Sequence, residues 1–266
     1  MKKFFTVLSL ALLTMSAWAA NSYVKGATEE GQITSLSQAN ALGDEEYFAF
    51  YGNAVVTVFK NGYLFLRDES GFAQIKEVTD GEFENGQVLH PSWEAIKTSN
   101  DGWVWYYNPA GLFATDEINA ELAAPIEITG AVDESMLNAY VVVKKVNKGF
   151  FPMRTIPLPD GTSIGITSCL WASNQPASGD YNVYGIICKV DGALMFNLVD
   201  FEKYFLRGDV NNDGEVKIGD VTALINYLLS GDTTGINLLA ADCDQNGEIK
   251  IGDVTALINF LLSGTW

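Results

Sequence analysis

The 266 residues include 33 Asp and Glu against 16 Lys and Arg, a formal net charge of −17, and a single histidine, His90. Acidity on this scale, with the basic residues scattered along the chain, excludes a face that grips a phosphate backbone, and one histidine excludes a two-histidine metal triad, a His-Glu-x-x-His zinc helix and a histidine relay. With 48% hydrophobic and 18% charged residues the sequence describes a globular chain that buries a core.

In chain order, the first element is a leader. Lys2 and Lys3 make a short basic start, Phe4 to Leu13 is a mostly apolar run, and Ala17-Trp18-Ala19 places small residues where a signal peptidase reads them. The expectation is a signal peptide over residues 1–19, cleaved near Ala19, and a protein that is secreted or held at the cell surface through a partner. The apolar run is too short for a transmembrane helix, and no later segment approaches twenty apolar residues.

From Ala20 to Arg207 the sequence reads as short strands separated by turn signals. Ala54 to Lys60 and Tyr63 to Arg67 flank Asn61-Gly62, the strongest short hairpin signal. Asp68-Glu69-Ser70-Gly71 turns the chain into Phe72 to Glu77. Trp103 to Tyr107, Tyr140 to Val146 and Thr162 to Leu170 follow, then a second hairpin in which Asp191-Gly192 joins Tyr184 to Val190 and Ala193 to Val199. His90, in Leu89-His90-Pro91, reads as a loop or strand end and not as a base. A break at Asn119 to Pro125 divides the region into β domains over residues 20–125 and 126–207. The run Gly52 to Gly71 resembles the opening strands of OB-fold-like domains of exported bacterial surface proteins. Leu137 to Val143 and Tyr181 to Ile187 look like a diverged second copy. The fold expected is all-β, one or two OB-like barrels, with a β-sandwich as the alternative. The resemblance implies a fold and no activity. With 24 acidic and 12 basic residues, the region lacks the positive track of a single-strand groove.

Two kinds of chemistry are open to this region. Trp103, Trp105 and Tyr107 alternate along one strand, with Trp93 near in sequence; such a row is read first as a core-facing side and second as a platform for sugar rings. A glycosidase would need two carboxylates about 5–9.5 Å apart. Glu82, Glu84, Glu94, Glu127 and Asp180 are available, and all read as surface acids, including Glu127, which alternation puts opposite Ile126 and Ile128. Of three cysteines, Cys169 and Cys188 are near enough in sequence to pair, with buried reduced thiols the equal alternative, and Cys243 lies apart.

The last element is a duplication. Asp209 to Gly231 and Asp242 to Gly264 align at an offset of 33 with 17 of 23 positions identical. Each copy opens with oxygen side chains at positions one, three and five, a glycine at six and an acid at twelve. Calcium takes six to eight oxygens at about 2.3–2.6 Å, and the sixth residue must accept a turn that glycine tolerates. The ligands read from this spacing are Asp209, Asn211, Asp213 and Asp220 with the Glu215 carbonyl, then Asp242, Asp244, Asn246 and Asp253 with the Glu248 carbonyl. Val221 to Leu229 and Val254 to Leu262 follow at helical spacing and end in Ser-Gly. The expectation is two calcium ions in two EF-hand-like loop-helix repeats, with aspartate in place of the usual glutamate at position twelve.

The duplicated loop running into Asp-Val-Thr-Ala-Leu-Ile-Asn, with Gly235 to Ala241 as a short intervening helix, resembles a type I dockerin over residues 208–266. The resemblance implies a small all-α, calcium-dependent module that docks onto a cohesin-type domain, as in assemblies that degrade plant polysaccharide. Position nine departs from the family, with Lys217 and Lys250 where an oxygen side chain is usual. Positions ten and eleven, where many dockerins select their partner, are Ile218-Gly219 and Ile251-Gly252, which implies an apolar contact that either copy can present. The whole chain is therefore expected to be a non-catalytic carbohydrate-binding or structural β-protein carried by a dockerin, with a small all-β glycoside hydrolase as the alternative.

Overall fold

The computed structural model describes residues 32–79, 81–100, 103–150, 152–167 and 175–266. The expected leader, Cys169 and the end of the strand expected to reach Leu170 lie outside the described residues, as does the side chain of Trp103. The chain divides into two compact units. One comprises Met1–Val142, Arg154–Ser173 and Tyr184–Asp200; the other comprises Val143–Met153, Asn174–Val183 and Phe201–Trp266.

The N-terminal region is all-β, as expected. Its first sheet contains β1 (Glu46–Phe50), β2 (Val55–Lys60), β3 (Tyr63–Asp68), β4 (Gly71–Ile75), β5 (Gln87–Leu89), β6 (Trp93–Asn100), β7 (Trp103–Ala110) and β8 (Ala114–Ile118), in the order β1-β6-β7-β4-β3-β2-β5-β8. Asn61 and Gly62, at φ 52° and 77°, form the two-residue turn between β2 and β3. Consecutive segments β1 and β2 pair with different partners, β6 and β3, so the sheet curls. All pairs are antiparallel except β4 with β7, where Ile75 lies opposite Tyr106. Phe48, Phe50, Leu64, Leu66, Ile75, Trp93 and Tyr106 fill the interior of the curl. Phe50 stacks on Trp93 at 4.8 Å, and Phe48 meets Trp93 edge-on at 5.6 Å.

Asp68 fixes the entry to this sheet. Its carboxylate accepts from the Leu36 amide at 2.7 Å, at the start of α1 (Leu36–Asn40), and from the Ser70 and Gly71 amides of the expected turn. The expected break is a short helix, α2 (Ala120–Ala123), whose Ala123 packs with Leu122 against Val55 and Val88.

A second sheet contains β9 (Ile126–Glu127), β10 (Tyr140–Lys148), β11 (Thr155–Pro157), β12 (Ser163–Thr167), β13 (Gly179–Val190) and β14 (Ala193–Lys203), in the order β11-β12-β14-β13-β10-β9. β12 and β14 run parallel, as do β9 and β10. Asp191 and Gly192, at φ 49° and 76°, repeat the two-residue hairpin turn.

The duplicated segment folds into α3 (Ile218–Ser230), α4 (Leu238–Ala241) and α5 (Ile251–Ser263). Val221, Leu224, Val254 and Leu257, on the inward faces of α3 and α5, pack with Val210, Ala241 and Cys243. Each long helix ends in a left-handed glycine, Gly231 or Gly264, whose amide donates to the carbonyl of Tyr227 or Phe260. Among the described residues, no helix is long and apolar enough to cross a membrane.

Candidate calcium-binding module

Each loop is organised by its first and last acids. In the first, Asp209 accepts from the amides of Asp213 (2.9 Å) and Gly214 (2.9 Å). Asp220, fully buried, accepts from the amide of Asn211 through one oxygen (3.0 Å) and of Lys217 through the other (2.8 Å). The second loop repeats this bond for bond. Asp242 holds the amides of Asn246 and Gly247, and buried Asp253 holds those of Asp244 and Lys250. The acid at position twelve is also the third residue of its helix, so one carboxylate closes the loop and satisfies an amide at the helix start. Its shortness compared with glutamate suits this bond back to the adjacent turn.

The remaining expected ligands lie on the same loops. Asn211 accepts from the Asp213 amide and Asp213 from the Glu215 amide, and Asp244 and Asn246 make the equivalent contacts. Gly214 and Gly247 have φ of 93° and 85°, a backbone that a side chain would strain.

The donor set fits a hard divalent cation. Ligand oxygens of Asp242, Asp244 and Asp253 lie within 4.8 Å of one another, and two carboxylates that close repel by about 3 kcal/mol at an effective dielectric near 20. The lysines at position nine do not relieve this, because Lys217 pairs with Glu215 and Lys250 with Glu248. That pairing also turns the side chain at position seven outward, in keeping with a backbone carbonyl as the ligand there. A calcium ion would be held by Asp209, Asn211, Asp213, Glu215 and Asp220 in one loop and by Asp242, Asp244, Asn246, Glu248 and Asp253 in the other, and would neutralise the converging acids.

Beyond each loop the sequence marked Ile218-Gly219 and Ile251-Gly252. Both isoleucines are conspicuously bare, 72% and 71% exposed. Sequence reasoning missed the continuation of these patches at Ile225 and Leu229 on α3 and at Ile258 and Leu262 on α5, where the leucines are 82% and 83% exposed. The signal was available: positions 218, 225 and 229 fall on one helical face, and the duplication keeps the same residues. Also missed was the contact of Trp266 with Arg207, which no periodicity links.

In the β-region the aromatic row is corrected. Tyr106 is fully buried and donates to Asn40 (2.7 Å), whereas Trp105 and Tyr107, on the opposite face of β7, are only half-buried, so the row does not face the core. The Lys76 ammonium sits 3.7 Å from the Trp105 ring centroid, and the Tyr107 hydroxyl donates to Glu45 at 2.5 Å. Trp93 is a core residue. Glu82, Glu84 and Glu127 are exposed, Asp180 is partly exposed and accepts from Asn147, and Glu94 accepts from the Tyr47 hydroxyl. His90 is exposed, its Nδ1 2.7 Å from the Pro91 carbonyl oxygen. Cys188 and Cys243 are buried, and burial pushes the Cys243 thiol up to about 12.

Two loop-helix units with matching acidic loops and a shared apolar core define a duplicated EF-hand-like calcium module. The Dockerin type I domain family matches residues 207–262. The chain therefore contains a type I dockerin domain, and dockerins bind calcium and dock onto cohesin domains, typically outside the cell or at its surface. No curated protein matches the chain.

Proposed function

We propose that the protein is an exported, non-catalytic component of a polysaccharide-degrading assembly, whose β-region binds carbohydrate or spaces its neighbours and whose dockerin, loaded with two calcium ions, docks onto a cohesin-type partner. The observation that carries this reading is the repeated apolar stripe, Ile218, Ile225 and Leu229 on α3 and Ile251, Ile258 and Leu262 on α5, bare on a module already folded around its own core. Ile218-Gly219 and Ile251-Gly252 sit at the head of each stripe, where the glycines let a partner approach the backbone.

The domain reading is a leader over 1–19, β domains over 20–125 and 126–207, and the dockerin over 208–266. An OB-like arrangement of both β domains is supported by strand pairing. With β1 and β2 taken as one bent strand, the third strand (β4) runs parallel to the fifth (β7), which lies beside the fourth (β6), which returns to the first. The second sheet repeats this, with β12 parallel to β14, then β13, then β10. The half-exposed Trp105 and Tyr107 supply the aromatic surface for a sugar, with Trp103 the first residue of the same strand.

Calorimetry against a panel of cohesin domains, with calcium and with chelator, tests the docking. Calcium-dependent binding that survives Ile218→Asp or Ile251→Asp singly and is lost in the double variant is expected; binding indifferent to both changes would overturn the assignment of the face. A reducing-sugar assay across plant polysaccharides tests the non-catalytic half. Turnover abolished by one carboxylate-to-amide change would replace it with the glycoside hydrolase reading.

A further inference from the structure

We propose that Asn246 is a calcium-guarded deamidation site, so that the second loop ages irreversibly when it is left unloaded. This rests on the reading that the second loop binds calcium.

Asn246 is exposed and is followed by Gly247, which has no side chain to shield its backbone nitrogen. The first loop has Asp213-Gly214 at the same place, so the amide is peculiar to the second loop. In the ordered loop the amide is held out of reaction. Asn246 Oδ1 accepts from the Glu248 amide at 2.8 Å, the Asn246 amide donates to Asp242 Oδ1 at 3.1 Å, and the Gly247 amide donates to Asp242 Oδ2 at 3.0 Å. Attack on the side chain needs the Gly247 nitrogen to leave Asp242 and the Asn246 carboxamide to swing away from Glu248. The clustered carboxylates of Asp242, Asp244 and Asp253 supply the force that opens the loop when no cation neutralises them.

The reaction needs only water. The Gly247 backbone nitrogen bonds to Cγ of Asn246, and the side-chain nitrogen leaves as ammonia, carrying away the proton that the backbone nitrogen gives up. Water then opens the cyclic imide at either carbonyl, breaking one of its two carbon–nitrogen bonds. One opening leaves an aspartyl residue and an unchanged backbone, with an added negative charge. The other routes the backbone through Cβ, lengthens the chain just before Gly247, and displaces the left-handed turn (φ 85°) on which the loop depends. Calcium added later reverses neither.

The full chain is incubated at mildly alkaline pH in calcium or in chelator, and peptides are mapped by mass for amide-to-acid conversion and for isoaspartyl content. Asn61-Gly62 and Asn85-Gly86, in the first β-region, serve as references. Conversion at Asn246 several-fold faster in chelator, with the two references unchanged, is expected, as is a loss of calcium capacity in the aged protein that follows its isoaspartyl content at position 246 in a subsequent titration. Equal rates at Asn246, in protein whose fresh sample fills both loops on titration, would overturn the proposal alone. Fresh protein that fills only the first loop would overturn the calcium reading and the proposal with it.

Discussion

The guanidinium carbon of Arg207 lies over the indole ring of Trp266, 4.2 Å from its centroid, and that indole stacks on Phe260 at 4.2 Å. Arg207 also donates through Nε to the carbonyl of Cys243 at 2.9 Å, between the second-loop acids Asp242 and Asp244. Residues on either flank of the duplicated segment are thus clasped to each other and to the second loop.

Loss of the clasp is expected to weaken the module without unfolding it. Trp266→Ala removes one cation–π and one stacking contact at a partly exposed site, together about 1–2 kcal/mol. Chemical denaturation followed by the far-UV helix signal measures this. Arg207→Lys retains the charge but loses the planar guanidinium and its Nε donor, and is expected to recover less than half of the difference.

If each loop holds a calcium ion, as proposed, the two are expected to fail separately. Asp213→Ala removes a proposed ligand of the first loop and leaves the bonds made by Asp242 and Asp253 intact. Asp253→Ala does more than remove a ligand, because the amides of Asp244 and Lys250 lose their acceptor inside the fold. Calcium titration should show Asp213→Ala weakening one site of two, and Asp253→Ala abolishing one site with a fall in helix content.

What could be read from the sequence depended on whether the signal was local. The loops were legible because ligand spacing and glycine at position six are constraints within a dozen residues, and duplication repeated them. The hairpins at Asn61-Gly62 and Asp191-Gly192 were legible for the same reason. The bent run of β1 and β2 was not, because its two halves take partners as remote as β6 and β3, and Gly52-Asn53 between them signals a bend without identifying those partners. Alternation in Trp103 to Tyr107 showed that the strand has two faces but not which one meets the core. Burial of Tyr106 against Phe48 and Asn40 decides that, and both partners lie more than fifty residues earlier.

Asp68 provides a stability test for the first sheet. Its carboxylate is the acceptor for the amides of Leu36, Ser70 and Gly71. Asp68→Ala leaves the Leu36 amide without its acceptor in a buried setting and is expected to cost about 2–3 kcal/mol. Asp68→Asn, which keeps one acceptor oxygen, should cost less. Thermal melts followed by near-UV signal from Trp93 and Tyr106, both in the interior of that sheet, report the difference.

Cys243 reports calcium loss directly. It is fully buried in the core that joins α3 and α5, and its flanking residues are the first and third acids of the second loop. If calcium holds that loop in place, chelation frees Asp242 and Asp244 to separate, the turn between them loosens, and the thiol reaches solvent. Brief exposure to a small alkylating reagent should therefore label the Cys243 peptide in chelator and spare it in calcium. The buried Cys188, in the β-region, should be labelled equally in both. Equal labelling of Cys243 in the two conditions would mean that the helical core stands without the metal.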